Sequence, residues 1–303
     1  MSQKHVAVLM GGWSAEREVS LMSGAQCSAA LTRLGYQVTD LDVGRDLGSV
    51  LSKLKPDVCF NALHGLGGED GEVQGLLEIL QIPYTHSGVT ASALAMDKRL
   101  TKKILAHAGV PVAIDVDLPP HGLSEHPFQV PYVVKPIRQG SSVGIVMVED
   151  VSRPLPDALT VKGWAFEQDM MAEVFVPGRE LTCAIMGTHD FEIIEITTER
   201  NFYDYTAKYN PGGSLHEIPA RIPDALKGQI QDYARQAHEV LGCRGVTRTD
   251  FRFDEEHEGL VVLEINTQPG MTPLSLVPEM AQASGMTFDD LINWLMEDAS
   301  CRR

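Results

Sequence analysis

At 303 residues, with 44% hydrophobic and 22% charged side chains, the chain carries enough apolar surface for one large core or two to three small ones. Its formal net charge of -16 argues against a broad nucleic-acid footprint or an anionic membrane face, since either needs a basic surface to neutralise phosphate. The five cysteines, Cys27, Cys59, Cys183, Cys243 and Cys301, are odd in number, widely spaced and mostly set among apolar neighbours, which predicts buried thiols rather than a disulfide framework or a zinc site.

The first apolar run, Val6 to Met10, is too short for a signal peptide or a membrane span, so a cytoplasmic protein is expected. That run, HVAVLM, reads as a strand, Glu16 to Leu34 as a helix stopped at Gly35, and YQVTDLDV and KPDVCFNAL as two further strands. Such alternation implies parallel strands with helices packed across them. Ligands of such sheets gather at the carboxyl ends of strands, where the loops Gly11 to Glu16 and His64 to Gly71 follow directly.

From Asp97 a basic helical segment carries Lys98, Arg99, Lys102 and Lys103 and is broken near Gly109-Val110-Pro111. A strand-rich module follows, with strands at PYVVKP, IVMVED and in WAFEQDMMAEVFV, and a glycine-serine turn, RQGSSVG. Then come strands at LTCAIMG and FEIIEITT, a polar tract from Glu199 to Pro219 long enough to be a functional loop, and a helix from about Asp224 to Leu241. Two strands, TRTDFRFD and GLVVLEIN, precede a proline-glycine turn and a closing helical segment. There is no internal repeat and no low-complexity region.

Alternation along TRTDFRF places Arg248 and Asp250 on one face, and in VLEIN it sets Glu264 and Asn266 opposite Leu263 and Ile265. Paired as a hairpin, these strands carry one polar face whose Asp250, Glu264 and Asn266 offer only oxygen donors, the kind magnesium prefers. Arg248 beside them could hold a phosphate or a developing oxyanion, and the tail from Asn266 to Thr272 can present backbone N-H groups to an anion. Neither a GxxxxGK[ST] loop nor a GxGxxG turn before a helix occurs, so phosphates would fall to Lys98, Lys135 and the backbone from Gly140 to Gly144. Taken singly, each residue also has an ordinary structural reading: a solvated hairpin face, a strand-end lysine reaching water at Lys135, a surface helix lysine at Lys98, a structural His64, a packing Trp13 and a helix-capping Glu16.

Together the pieces GGWSAEREVSLMSG, HGLGGEDGEVQGLLE, MDK, VVKPIRQGSSVG, FYDYTAKY, TRTDF and LEINTQPGMTPLSLVP resemble the D-alanine--D-alanine ligases of the ATP-grasp superfamily, in order and approximate spacing, over nearly the whole chain. The resemblance implies a mixed α/β (α+β) ATP-grasp fold: an N-terminal parallel α/β substrate domain (1–96), a central ATP-grasp module (97–172) and a C-terminal catalytic module (173–303). It implies ATP as co-substrate, with Lys98, Lys135 and Ser142 on the phosphates, Glu173 and the backbone of Val174 and Val176 on the adenine edge, Glu180 on the ribose, Phe202 against the base, and Lys208 from the polar tract. Two magnesium ions, for which manganese can substitute, would be bridged by Glu264 and completed by Asp250 and Asn266.

In the same resemblance Glu16 binds the ammonium of a first D-alanine and joins Ser141 and Tyr209 in a hydrogen-bonded trio. His64 lies by the first substrate, Ser275 and the Leu276 backbone take the carboxylate of the second, and Arg248 with the Gly270 N-H meets the tetrahedral oxyanion. The polar tract would close over the site. Tyr209 points to an amine as second nucleophile, because relatives that make the D-lactate ester generally have phenylalanine there; a D-lactate or D-serine ligase and a non-catalytic ATP-grasp regulator are the alternatives. The chain departs from some relatives at Val174, where they carry lysine, and in a shorter stretch from Gly109 to Pro131. A homodimer acting in cell-wall precursor synthesis, with neither nucleic acid nor membrane as partner, completes the expectation.

Overall fold

The computed structural model describes residues 3–140, 144–197 and 215–302. Its first unit is a three-stranded parallel sheet with β1 (His5–Met10) between β2 (Gln37–Asp42) and β3 (Val58–Asn61), as the alternating pattern predicts. A central parallel strand is covered on both faces, which is why HVAVLM is apolar nearly throughout. Val6, Val8 and Met10 turn to one core, and Ala7 and Leu9 to another.

The second of these cores lies under α2 (Leu47–Leu54) and α3 (Glu72–Leu80). The first is covered by α1 (Arg17–Arg33), whose Gly24 lets the helix lie against Met10: a Cβ added there would come within 2.5 Å of the Met10 Cβ. Past α4 (Val89–Met96) and α5 (Lys98–His107), the chain enters a four-stranded antiparallel sheet of order β4-β7-β5-β6, with β4 at Asp115–Asp117, β5 at Tyr132–Pro136, β6 at Val146–Val148 and β7 at Met170–Val174. The strand expected across WAFEQDMMAEVFV is confined to the five residues of β7. Trp164 and Phe166 instead pack edge to face, with centroids 5.1 Å apart, against the core of this sheet.

The largest sheet runs β11-β10-β8-β12-β13, comprising β8 (Arg179–Met186), β10 (Ile194–Thr197), β11 (Leu215–Glu217), β12 (Val246–Asp254) and β13 (Gly259–Asn266), with the short β9 (His189–Asp190) paired to β8. One face is covered by α6 (Asp224–Val240), which buries Leu226, Ile230, Ala234 and Ala237 at helical spacing. The closing helices α7 (Leu276–Ala283) and α8 (Phe288–Asp298) pack on both that sheet and the first. Val277, Met280, Leu291, Ile292 and Leu295 share one core with Val6 and Val8 of β1 and with Ala184, Met186, Ile196 and Val246 of the largest sheet. Among the described residues no helix is long and apolar enough to cross a membrane.

Candidate active site

The β12–β13 register sets Arg248 opposite Asn266 and Asp250 opposite Glu264, which places on one patch the four residues that alternation put on a common face. Beyond them the register slips: Asp250 pairs with Glu264 but Phe251 pairs with Val262, so Leu263 is an extra residue. The core behind the hairpin therefore takes Leu260, Val262 and Ile265, rather than the Leu263 that strict alternation selects.

Arg248 forks onto Asp250, Nε to Oδ1 at 2.8 Å and a terminal nitrogen to Oδ2 at 2.7 Å, while Thr182 Oγ1 donates to the same Oδ1 at 2.6 Å. Its guanidinium is thus oriented by a bidentate pair at the edge of the site. Glu264 faces Lys98, whose Nζ stands 3.5 Å from Oε2 and donates to the Gln139 carbonyl at 2.8 Å. Asn266 Oδ1 accepts the Gln268 N-H at 2.9 Å, which fixes the amide. Among the described residues no three His, Cys, Asp or Glu side chains converge as a metal cage. Two carboxylates and an amide oxygen, completed by phosphate and water, suit magnesium, a hard ion that is seldom caged by protein alone.

A cleft open to solvent brings Glu16, His64, Lys98, Arg248, Glu264, Asn266, Gly270, Ser275 and Leu276 together. The loops after β1 and β3 are tied by Ser14, whose Oγ donates to the His64 carbonyl at 2.6 Å and accepts the Glu16 N-H at 3.1 Å. Glu16 is the N-cap residue of α1, but its side chain makes no capping bond, contrary to its structural reading. Its Oε1 lies 3.1 Å from a Cβ built on Gly140 and 3.3 Å from one built on Gly65, two positions where a side chain would crowd the carboxylate. Trp13 packs, as its structural reading has it, under Arg45, whose guanidinium carbon lies 4.0 Å from the ring centroid.

His64 is buried, with Nε2 3.0 Å from Ser23 Oγ, which also accepts the Met271 N-H at 3.2 Å. Burial pushes its pKa down to about 4, with a smaller push from Arg248, against a bond to the Gln268 backbone that acts the other way. The folded state therefore favours the neutral ring, and stability is lost as pH falls from the unfolded value near 6.5 toward 4. Replacing His64 with glutamine is expected to flatten acid destabilisation by up to roughly 3 kcal/mol across that window, read from urea melts at pH 7 and pH 4.

On the far side of the cleft Ser275 is the N-cap of α7, and its Oγ accepts the Thr272 N-H at 2.9 Å. A Cβ at Gly270 would come within 2.8 Å of that Oγ, so the glycine allows the turn to close on the helix start. The first turn of α7 presents backbone N-H groups and the positive end of its dipole.

Of the residues expected to meet a nucleotide, Lys135 is buried and donates to Glu173 Oε1 at 2.8 Å, so it is an inward-facing lysine and not one reaching for bulk water. The Val174 N-H donates to the Ile114 carbonyl at 2.9 Å, and the Val176 carbonyl accepts from Arg252 Nε at 3.0 Å. Glu180 pairs with the same Arg252 at 3.6 Å. Ser141, Ser142, Phe202, Lys208 and Tyr209 lie outside the described residues.

Three groups here had no role in the sequence reading. Glu69 lines the cleft beside Glu16, accepts the Gly65 N-H at 3.0 Å, and is pushed well above the usual carboxylate range by burial and then by the Glu16 charge. Gln268 accepts from Asn61 Nδ2 at 2.7 Å and donates to the Leu63 carbonyl, tying the turn after β13 to the loop after β3. Lys102 is buried against Glu173 and Asp115. The HGLGGED motif contains Glu69, but nothing in its spacing distinguishes that residue from Asp70.

The sequence matches two family models, described as D-ala D-ala ligase C-terminus over residues 120–297 and D-ala D-ala ligase N-terminus over residues 41–87. A D-alanine--D-alanine ligase of Parvibaculum lavamentivorans is 54% identical, with all of both chains covered. The chain belongs to the D-alanine--D-alanine ligase family. Two solved structures of D-alanine--D-alanine ligase from Bacillus anthracis share its fold. One, a D-alanine--D-alanine ligase, is 32% identical with a TM-score of 0.83, covering 97% of each chain. The other, in complex with ATP, is 29% identical with a TM-score of 0.82, again covering 97% of each chain. The ATP-grasp architecture expected from the motifs is therefore the fold of this chain, with its parallel N-terminal sheet and two antiparallel sheets.

Proposed function

We propose that this chain ligates two D-alanines at the expense of ATP, and that the cleft shared by Glu16, Lys98, Glu264 and Ser275 is where it does so. The observation that carries the reading is this convergence: a carboxylate for an ammonium, a lysine for phosphate, oxygen donors for magnesium, and a helix start for a carboxylate, drawn from three parts of one chain. Lys98 and Lys135 hold the phosphates, Glu180 the ribose, and the segment of Glu173, Val174 and Val176 the adenine edge. With Val174 N-H and the Val176 carbonyl already bonded, the Val176 N-H is the donor we assign to the base. Asp250, Glu264 and Asn266 would hold two magnesium ions, which neutralise charge on the transferring phosphoryl group when bound.

Glu16 orients the first D-alanine by its ammonium, with neutral His64 beside it. The carboxylate oxygen of that substrate bonds to the γ-phosphorus as the bond to the bridging oxygen of ADP breaks, giving an acyl phosphate. The deprotonated amine of the second D-alanine, held by its carboxylate at Ser275 and the Leu276 N-H, then attacks the acyl carbon. Arg248 and the Gly270 N-H receive the oxyanion charge, and collapse of the tetrahedral species expels inorganic phosphate. In this reading the tract that carries Lys208 and Tyr209 would close over the acyl phosphate and exclude water, and Tyr209 with Ser141 would complete the contact to Glu16. We assign the chain to the cytoplasm as a homodimer, with 1–96, 97–172 and 173–303 as its modules.

Phosphate release from magnesium-ATP is expected to depend on D-alanine, with D-alanyl-D-alanine appearing in equal amount by mass spectrometry. Offering D-lactate and D-serine as second substrates across pH tests the alternatives. Preferred ester formation at neutral pH would overturn the amine assignment, and turnover indifferent to D-alanine would overturn the substrate.

A further inference from the structure

Beneath the nucleotide segment lies a cluster of four charges. Lys102 comes from α5, one turn after Lys98, and is 3% exposed. Its Nζ is 2.5 Å from Glu173 Oε2 and 2.8 Å from Asp115 Oδ1. Glu173, itself buried, gives its other oxygen to Lys135 Nζ at 2.8 Å. Asp115 and Glu173 face each other across the β4–β7 pair, while Lys135 comes from β5 on the other side of β7. Two ammonium groups and two carboxylates therefore balance, with Lys102, Lys135 and Glu173 buried and Asp115 25% exposed at the edge of the cluster.

That balance is more than one buried lysine needs. A buried carboxylate facing a single lysine would hold it tightly, because removing the partner leaves an uncompensated charge in a poorly solvated place. Burial would raise the Glu173 carboxyl, yet Lys135 and Lys102 together overcome this and hold it below the usual range. With Lys102 on one oxygen, the other can be given up.

We propose that Lys102 is a positioning residue for nucleotide binding: it keeps Glu173 neutralised when Lys135 turns to the nucleotide phosphates, so that Lys135 can leave without stranding a buried charge. This rests on the reading of Lys135 as a phosphate ligand. Lys102 touches neither nucleotide nor substrate in this role. It acts through Glu173, by setting how firmly the carboxylate holds Lys135.

The test measures binding of an ATP analogue with a non-hydrolysable β–γ bridge, with magnesium, by calorimetry on the full chain, alongside steady-state KM values. Lys102→Met is expected to weaken the analogue about tenfold or more and raise the KM for ATP, while the KM for D-alanine stays within about twofold; each tenfold loss corresponds to about 1.4 kcal/mol. Lys102→Gln, which keeps a hydrogen bond to Glu173 without the charge, is expected to weaken binding likewise, and it serves where the methionine variant does not fold. Adding Glu173→Gln to either is expected to restore most of the lost affinity, because the charge that grips Lys135 is gone while the glutamine carbonyl can still accept a hydrogen bond from the adenine amino group. A merely structural lysine would lower the melting temperature without raising the KM for ATP apart from that for D-alanine. Single variants that bind as wild type, or double variants no better than the singles, overturn the proposal. Lys135→Met binding as wild type, or a wild-type chain that does not bind the analogue, removes the nucleotide reading and this proposal with it.

Discussion

Glu264→Ala is expected to leave a folded protein whose turnover falls by about 10³-fold or more at any magnesium concentration. The size follows from the role. In the proposed role, a carboxylate that would hold magnesium against the transferring phosphoryl group would contribute several kcal/mol to its transition state, and every 1.36 kcal/mol is a factor of ten. The fold should tolerate the change, because the Glu264 side chain is 30% exposed and Lys98, 3.5 Å away, has the Gln139 carbonyl as a second partner. Phosphate release measured against magnesium, with a thermal melt as control, gives the answer. Near-normal activity at saturating magnesium would remove the metal assignment, and a collapsed melt would assign Glu264 a structural role.

The second large effect belongs to Arg248. Losing one donor to a developing oxyanion typically costs about 10² to 10³ in kcat. Arg248→Met confounds this with stability, because Asp250 is buried and receives both arms of the fork; stranding such a carboxylate costs about 3 to 5 kcal/mol. Lysine separates the two. It keeps the charge beside Asp250 but cannot repeat the planar two-point contact, so Arg248→Lys is expected to melt close to wild type and still lose about 10²-fold or more in kcat, with the KM for ATP little changed. Wild-type kcat in the lysine variant would show that only the charge of Arg248 matters.

What could be read without coordinates was whatever the chain writes locally. Alternation in TRTDF and LEIN was enough to put Arg248, Asp250, Glu264 and Asn266 on one face, and the observed register does so. The same rule failed one step further on, because the extra residue Leu263 shifts the pattern and a bulge has no composition of its own here. The unread residues depend on partners far along the chain: Lys102 on Glu173, 71 positions away, and Gln268 on Asn61, 207 away. A lysine in an amphipathic helix and a glutamine in a turn look like surface until the fold supplies those partners. Glu69 is similar, since its raised pKa comes from burial and from Glu16, neither of which its own loop specifies. The apolar faces of the last two helices meet β1 as well as the C-terminal strands, a partner that lies more than 260 positions back along the chain from Val277.

That shared core bears on how the protein is made. The sheet of β1 and β3 is translated early, yet Leu291, Ile292 and Leu295, which cover one of its faces, are translated long after it. At about 5 to 20 residues per second, Val6, Val8 and Phe60 wait on the order of tens of seconds for their cover, exposed for that time to chaperones and to aggregation with other nascent chains.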